Sequence, residues 1–246
     1  MIKTNTIHLG DAIEVMQTLP SESVDLVVTS PPYNIRNSSG NGMKAKASGH
    51  WKGSKLNDGY ADDYDDAMPH DLYVEWQRNC IAEMMRLLKD DGAIFYNHKW
   101  RVQNGLLQDR HDIVASFPVR QIIIWDRCGG LNFNSGYFLP TFEVIYLIAK
   151  PDFKLAPKAA GWGDVWRFPP EGSNPHPAPF PLELPERCIR ATGAQIVLDP
   201  FMGSGTTALA ARKLGREYIG IERAEQYRNM ALERLAQPYI VPMNGL

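Results

Sequence analysis

The stretch Q-I-V-L-D-P-F-M-G-S-G-T-T-A-L-A-A-R-K-L-G-R-E-Y-I-G-I-E, residues 195–222, decides how the rest of the chain is read. An apolar run ends at Asp199, a glycine turn and a helical pattern follow, and a second apolar run ends at Glu222. Gly203, Gly205 and Ala208 satisfy G-x-G-x-x-G/A. Glycines there let the backbone turn tightly and let a ligand approach the main chain. An acid at the tip of the second strand can accept hydrogen bonds from both hydroxyls of a ribose. The same pattern also serves as a plain tight α/β turn.

Charge narrows the choice of ligand. A phosphate-gripping P-loop needs lysine followed by serine or threonine, and here Thr206 and Thr207 follow the last glycine with no lysine. Asp199, at the end of its strand, would repel a pyrophosphate but suits a ligand that carries an amino group and a sulfonium. S-adenosylmethionine is such a ligand and fits better than a dinucleotide. Few residues follow Glu222, too few to complete a nucleotide-binding sheet. The missing strands are therefore expected from the N-terminal part, which makes the motif order permuted.

Working outward, short apolar runs alternate with longer helical patterns, which predicts an α/β fold with a mostly parallel sheet and helices on both faces. Strands are expected over 23–29, 93–96, 120–125, 143–148, 195–198 and 218–221, and helices over 71–88, 206–214 and 224–235. Tyr227, Met230, Ala231 and Leu235 recur on one face of the last. Gly92 and Gly215 stand where helix C-caps are expected. With 246 residues, 44% of them hydrophobic and 22% charged, the chain suits one soluble domain with a real core. The net charge of −2 means that any nucleic-acid surface must be local. Cys80, Cys128 and Cys188 are widely spaced, which fits a reducing, cytoplasmic setting and argues against a structural zinc site. The N-terminus lacks the pattern of a signal peptide, and no run approaches the ~20 apolar residues of a membrane span. Neither a membrane nor a metal is expected as a partner, and the oligomeric state, a homodimer included, is left open.

A second stretch asks for an explanation. V-V-T-S-P-P-Y-N-I, residues 27–35, runs from an apolar strand straight into two prolines and an aromatic residue. Two prolines in succession cannot continue a central strand or a helix. The corner is either an ordinary strand ending or a preformed site that holds something flat.

T-S-P-P-Y-N (29–34) followed much later by D-P-F-M-G-S-G-T-T (199–207) resembles the β-class DNA amino-methyltransferases, the N4-cytosine and N6-adenine enzymes, over nearly the whole chain. The resemblance implies the Rossmann-like fold of S-adenosylmethionine-dependent methyltransferases, with the catalytic motif ahead of the cofactor motif. It implies that Asp199, Phe201, Gly203, Ser204, Gly205 and Thr206 surround the methionine and ribose parts of the cofactor, that Glu222 holds the ribose, and that Asp11 receives the adenine amino group. Alone, Asp11 reads as a loop cap. Ser30, Pro31, Pro32, Tyr33 and Asn34 then become the catalytic corner. The Ser30 side chain and the Pro31 carbonyl would accept hydrogen bonds from an exocyclic amine, and Tyr33 would stack on a base flipped out of double-stranded DNA. Asn34 either reads the base or caps the next turn. Serine before P-P-Y, with H-P-A-P-F-P at 176–181, leans toward N4 of cytosine over N6 of adenine; RNA or a protein glutamine is a more distant target. Phe142 in P-T-F-E (140–143) stands where relatives often carry histidine, so no role is assigned there.

The polar segment 36–69 is expected to be mobile, and Lys44, Lys46, Trp51, Lys52 and Lys55 within it suit phosphate contact and wedging at the extruded base, or simply solvation. Arg101, Arg110, Arg120, Arg127 and Lys150 are candidates to lie along a DNA groove. The proline-dense 151–185 reads as a small insertion or an extended linker. Target recognition is expected from 128–142 or 151–175.

Overall fold

A computed structural model describes residues 2–34, 68–103, 105–130, 135–170 and 180–237. It contains one eight-stranded sheet. In chain order the strands are β1 (Thr6–Leu9), β2 (Val24–Thr29), β3 (Leu88–His98), β4 (Arg101–Gln103), β5 (Leu106–Gln108), β6 (Val119–Asp126), β7 (Phe142–Ala149), β8 (Val165–Arg167), β9 (Ile196–Asp199) and β10 (Glu217–Glu222). The helices are α1 (Ala12–Thr18), α2 (His70–Leu87), α3 (His111–Val114), α4 (Glu183–Arg190), α5 (Thr206–Lys213) and α6 (Glu225–Ala236). Across the sheet the order is β1-β10-β9-β2-β3-β7-β6-β8, while β4 and β5 form a separate ribbon. Among the sheet's strands, β7 alone runs antiparallel to both of its neighbours.

The strands read as nearly unbroken apolar runs because both faces are covered. In β2, Val27 packs with α1, α2 and α3 on one face, while Leu26 and Val28 pack with α4 and α5 on the other. β3 and β7 repeat the alternation: Ile94, Tyr96, Val144 and Tyr146 face the first layer, and Phe95, Ile145 and Leu147 face the second. A third cluster, Ile7, Met202, Ala208, Ala231 and Leu235, seats α6.

The strands missing from the C-terminal half come from the other end of the chain, as expected. β1 pairs with β10, and β2 pairs with β9. Gly215 ends α5 as expected: its φ is +66°, and Arg216 N donates to Ala211 O at 2.8 Å while Gly215 N donates to Arg212 O at 3.1 Å. Gly92 does not cap α2. That helix stops at Leu87, and Gly92 lies inside β3, where a Cβ would meet the Asp25 carbonyl at 3.0 Å and the Leu88 side chain at 2.9 Å. The described part of 151–185 is more ordered than an extended linker. It makes a 3-10 turn at Ala159–Gly161 and then β8, which joins the sheet beside β6. No helix among the described residues is long and apolar enough to cross a membrane.

Candidate active site

The register of the sheet brings the singled-out residues to one edge. Leu9 pairs with Glu222, Gly220 with Asp199, Leu198 with Val27, and Thr29 with Tyr96. Outside the carboxyl ends of these parallel strands, Asp11, Glu222, Asp199, Ser30 and Asn97 therefore stand in a row. Glu143 joins the row because β7 is antiparallel and begins where β3 ends. Ligands of open α/β sheets bind along such an edge.

At the glycine end, Asp199 is buried and holds the turn together. Its Oδ1 accepts from Thr29 Oγ1 at 2.7 Å and from Phe201 N at 3.0 Å, and its Oδ2 accepts from Thr207 Oγ1 at 2.7 Å. Burial pushes its carboxyl up to about 6; these hydrogen bonds oppose the shift, and the charge of Glu222 adds to it. Each oxygen of the half-buried Glu222 accepts one backbone N–H, Gly203 N on Oε2 and Ala224 N on Oε1, both at 2.8 Å. Burial raises that carboxyl as well.

A carboxylate offers about four acceptor positions. Glu222, with backbone N–H groups of Gly203, Ala224 and Arg223 against it, keeps acceptor capacity toward a ribose hydroxyl, and Asp199 keeps a lobe on Oδ2 for a cationic donor. Asp11 caps α1, its Oδ1 accepting from Ile13 N at 2.9 Å and Glu14 N at 3.3 Å; Oδ2 makes no hydrogen bond among the described residues. The acceptor set therefore fits S-adenosylmethionine. Phe201 packs edge-on against Trp76, with ring centroids 5.7 Å apart. Ser204, Gly205 and Thr206 turn toward α6: Arg234 Nη1 donates to Thr206 Oγ1 at 2.9 Å and to the Ser204 carbonyl at 3.5 Å.

At the corner, the Pro32 carbonyl is tied back to α2, accepting from Tyr73 Oη at 2.7 Å and Gln77 Nε2 at 3.3 Å. Tyr73 also meets His98 Nε2 at 2.7 Å. Burial, with the charges of Arg110 and Arg101, holds His98 well below its ordinary value. Tyr33 is turned inward. One side of its ring lies against His98, with centroids 4.8 Å apart, and its hydroxyl meets Ser30 Oγ at 2.6 Å and donates to Glu143 Oε2 at 3.1 Å. Asn97 Nδ2 donates to Tyr33 Oη at 2.8 Å and to Glu143 Oε2 at 3.0 Å, and lies 3.4 Å from Ser30 Oγ. Arg127 Nη1 approaches Glu143 Oε1 at 3.5 Å. Asn34 takes a left-handed conformation (φ +56°) and donates from Nδ2 to Met68 O at 2.7 Å.

Thr29, Thr207, Asn97 and Glu143 escaped sequence reasoning. The clearest available signal was Glu143, a carboxylate near the head of the otherwise apolar F-E-V-I-Y-L-I-A. Of the basic residues expected along a groove, the two buried ones, Arg101 and Arg110, are corrected. Arg101 is buried and donates to the Asn34 carbonyl, Arg110 is buried, Arg120 is tied to the Lys150 and Pro151 carbonyls, and Arg127 faces Glu143. Lys44, Lys46, Trp51, Lys52 and Lys55, and most of H-P-A-P-F-P, lie outside the described residues. Among the described residues, no group of three or more His, Cys, Asp and Glu could hold a metal ion.

A family model described as DNA methylase matches residues 24–233. The Type II methyltransferase M2.MboI of Moraxella bovis is 30% identical, over 94% of this chain and 88% of its own length. A structure of TTHA0409 from Thermus thermophilus, complexed with S-adenosyl-L-methionine, superposes with a TM-score of 0.67 at 27% identity, covering 94% of this chain and 92% of that one. The PvuII DNA methyltransferase (cytosine-N4-specific) shares the fold, with a TM-score of 0.74 at 20% identity over 98% of this chain and 89% of that one. The chain belongs to the N6/N4 DNA methylase family. It is a DNA methyltransferase, and its methyl donor is S-adenosyl-L-methionine.

Proposed function

We propose that this protein transfers a methyl group to N4 of a cytosine flipped out of double-stranded DNA, as the cytoplasmic modification enzyme of a restriction–modification pair or as a stand-alone methylase. The observation that carries the reading is the 2.7 Å hydrogen bond from Thr29 Oγ1 to Asp199 Oδ1. It fastens the strand leading into S-P-P-Y to the strand leading into the glycine turn, so a methyl donor on one and a base on the other meet at adjacent strand ends.

Ser30 Oγ and the Pro31 carbonyl accept hydrogen bonds from the exocyclic amine and draw its N–H bonds out of the ring plane, which makes the nitrogen lone pair available. The tether of the Pro32 carbonyl to Tyr73 and Gln77 keeps the corner from swinging. The bound cofactor supplies a sulfonium methyl: the N–C bond forms as the S–C bond breaks, the electron pair stays on sulfur, and the nitrogen sheds its extra proton afterwards. Positioning and fixed acceptors carry the acceleration, without a strong base or a covalent enzyme intermediate. Glu222, Asp199 and Asp11 hold the ribose, the cationic end and the adenine of the donor. Tyr33 provides an aromatic surface at the base, and Asn34, tied to the Met68 carbonyl, fixes the end of the corner. Lys44, Lys46, Lys52 and Lys55 contact phosphate, and Trp51 wedges at the extruded base.

Serine in place of an acid before P-P-Y favours cytosine. Duplex DNA methylated with labelled donor, digested to nucleosides and analysed by mass spectrometry, should yield N4-methylcytosine. N6-methyladenine alone would overturn the choice of base. Tyr33→Ala should keep cofactor binding and lose most turnover; unchanged turnover would remove Tyr33 from the site.

A further inference from the structure

The corner holds an acceptor that none of the described residues uses. Asn97 is 2% exposed, yet its Oδ1 has no hydrogen-bond partner among them. Buried polar atoms are nearly always paired, and an unpaired one asks for a reason. Turning the amide over does not help, because the oxygen would then face the Glu143 carboxylate, which can only accept.

The same carboxylate fixes the hydroxyl protons. Glu143 Oε2 must receive the Tyr33 hydroxyl proton, so Tyr33 Oη is left to accept, and the 2.6 Å contact with Ser30 is closed by the serine's own proton. Asn97 Nδ2 reaches one lone pair of Ser30 Oγ at 3.4 Å, which leaves the other uncommitted on a partly exposed residue. One anionic group therefore leaves Ser30 and Asn97 each with an acceptor position that no described residue fills, and Arg127 on its other oxygen keeps Oε2 aimed at them.

We propose that Asn97 is a further residue of the amine site and Glu143 the positioning residue that orients it: Ser30 Oγ takes one N–H of the target amino group, Asn97 Oδ1 shares the second with the Pro31 carbonyl, and the Glu143 carboxylate fixes which atoms of Ser30 and Asn97 are left to accept. An exocyclic amine has two N–H bonds, so fixed acceptors on each pull both out of conjugation and leave the lone pair directed at the methyl group. The inference rests on the methyltransferase reading of the corner but does not depend on which base is modified.

The test compares wild type, Glu143→Gln, Tyr33→Phe and the double variant, with total methyl transfer from labelled donor to duplex DNA as the readout. Glutamine keeps the size of Glu143 but no longer dictates which way the protons point. The kcat of Glu143→Gln should fall about tenfold to a hundredfold, the range expected when reacting groups lose fixed orientation, with cofactor affinity, DNA KM and melting temperature within about twofold or a degree or two of wild type. Tyr33→Phe cuts the same chain, so the double variant should be little worse than the poorer single variant. A Glu143→Gln kcat within twofold of wild type, or losses that multiply in the double variant, would overturn the proposal. If Glu143→Gln fails to fold, Tyr33→Phe, which deletes one oxygen, decides alone: wild-type kcat there removes the relay. Asn97→Leu must lose kcat to the same degree; if it does not, Asn97 takes no part. Absence of DNA methylation by the wild-type protein would instead sink the underlying reading.

Discussion

Asp199 shows how one side chain is asked to do two things. It staples three backbone segments together, yet burial lifts its carboxyl from 3.8 to about 6. A raised acid contributes its full stability below the unfolded value and loses it as pH climbs through the folded value. The contribution is thus complete below about pH 4 and gone above about pH 6, a change on the order of 3 kcal/mol. Melting curves should carry this downward component between those pH values in the wild type and lack it in Asp199→Asn. A bound cation reverses the balance by favouring the ionised form. Titration calorimetry should therefore find S-adenosylmethionine bound more tightly at pH 7.5 than at pH 5, with a proton released at the lower pH. Equal affinity at both would mean that the cationic end does not face Asp199.

Among the elements, α5 depends on a residue with no side chain. Gly205 caps it at φ +83°, and a Cβ there would come within 2.9 Å of Ala231 Cβ and 3.3 Å of the Ala231 backbone in α6. Gly205→Ala should cost about 2–4 kcal/mol, from left-handed strain plus overpacking, measured as a lower denaturation midpoint. Such glycines were legible in the sequence because a turn motif is local, and they announced the short α5 with them, while the longer α2 and α6 showed through their own patterns. β1, the seven-residue α1, the eight-residue α4 and the three-residue β8 were not read. Elements so short span only a turn or two, where helical and strand periods cannot be told apart. The site divided along the same line. S-P-P-Y and the glycine loop announce themselves, whereas Thr29 matters through Asp199, 170 positions away, and Glu143 through Tyr33 and Asn97, 110 and 46 positions away. Contacts across that distance leave no local pattern.

At the level of the whole molecule, the thiols report on the integrity of both core layers. Cys80, on α2, lies in one core layer and Cys188, on α4, in the opposite one, and burial pushes both thiols up, whereas Cys128 is exposed. A thiol reagent should modify one cysteine in the native protein and all three after denaturation. Rapid native labelling of more than one would mean that a layer opens readily.

The seam between β2 and β9 also sets a timetable. Thr29 and Asp199 are 170 residues apart, and synthesis at ~5–20 residues per second separates their emergence from the ribosome by roughly 10–30 s. During that interval β2 can pair with β3 but has no partner on its other side, and an uncovered apolar strand edge invites association with other chains. The permuted order therefore exposes the central strand of the sheet while the chain is being made. Nascent chains stopped before residue 195 should be captured by chaperones and prone to aggregate, whereas chains released after β10 should not.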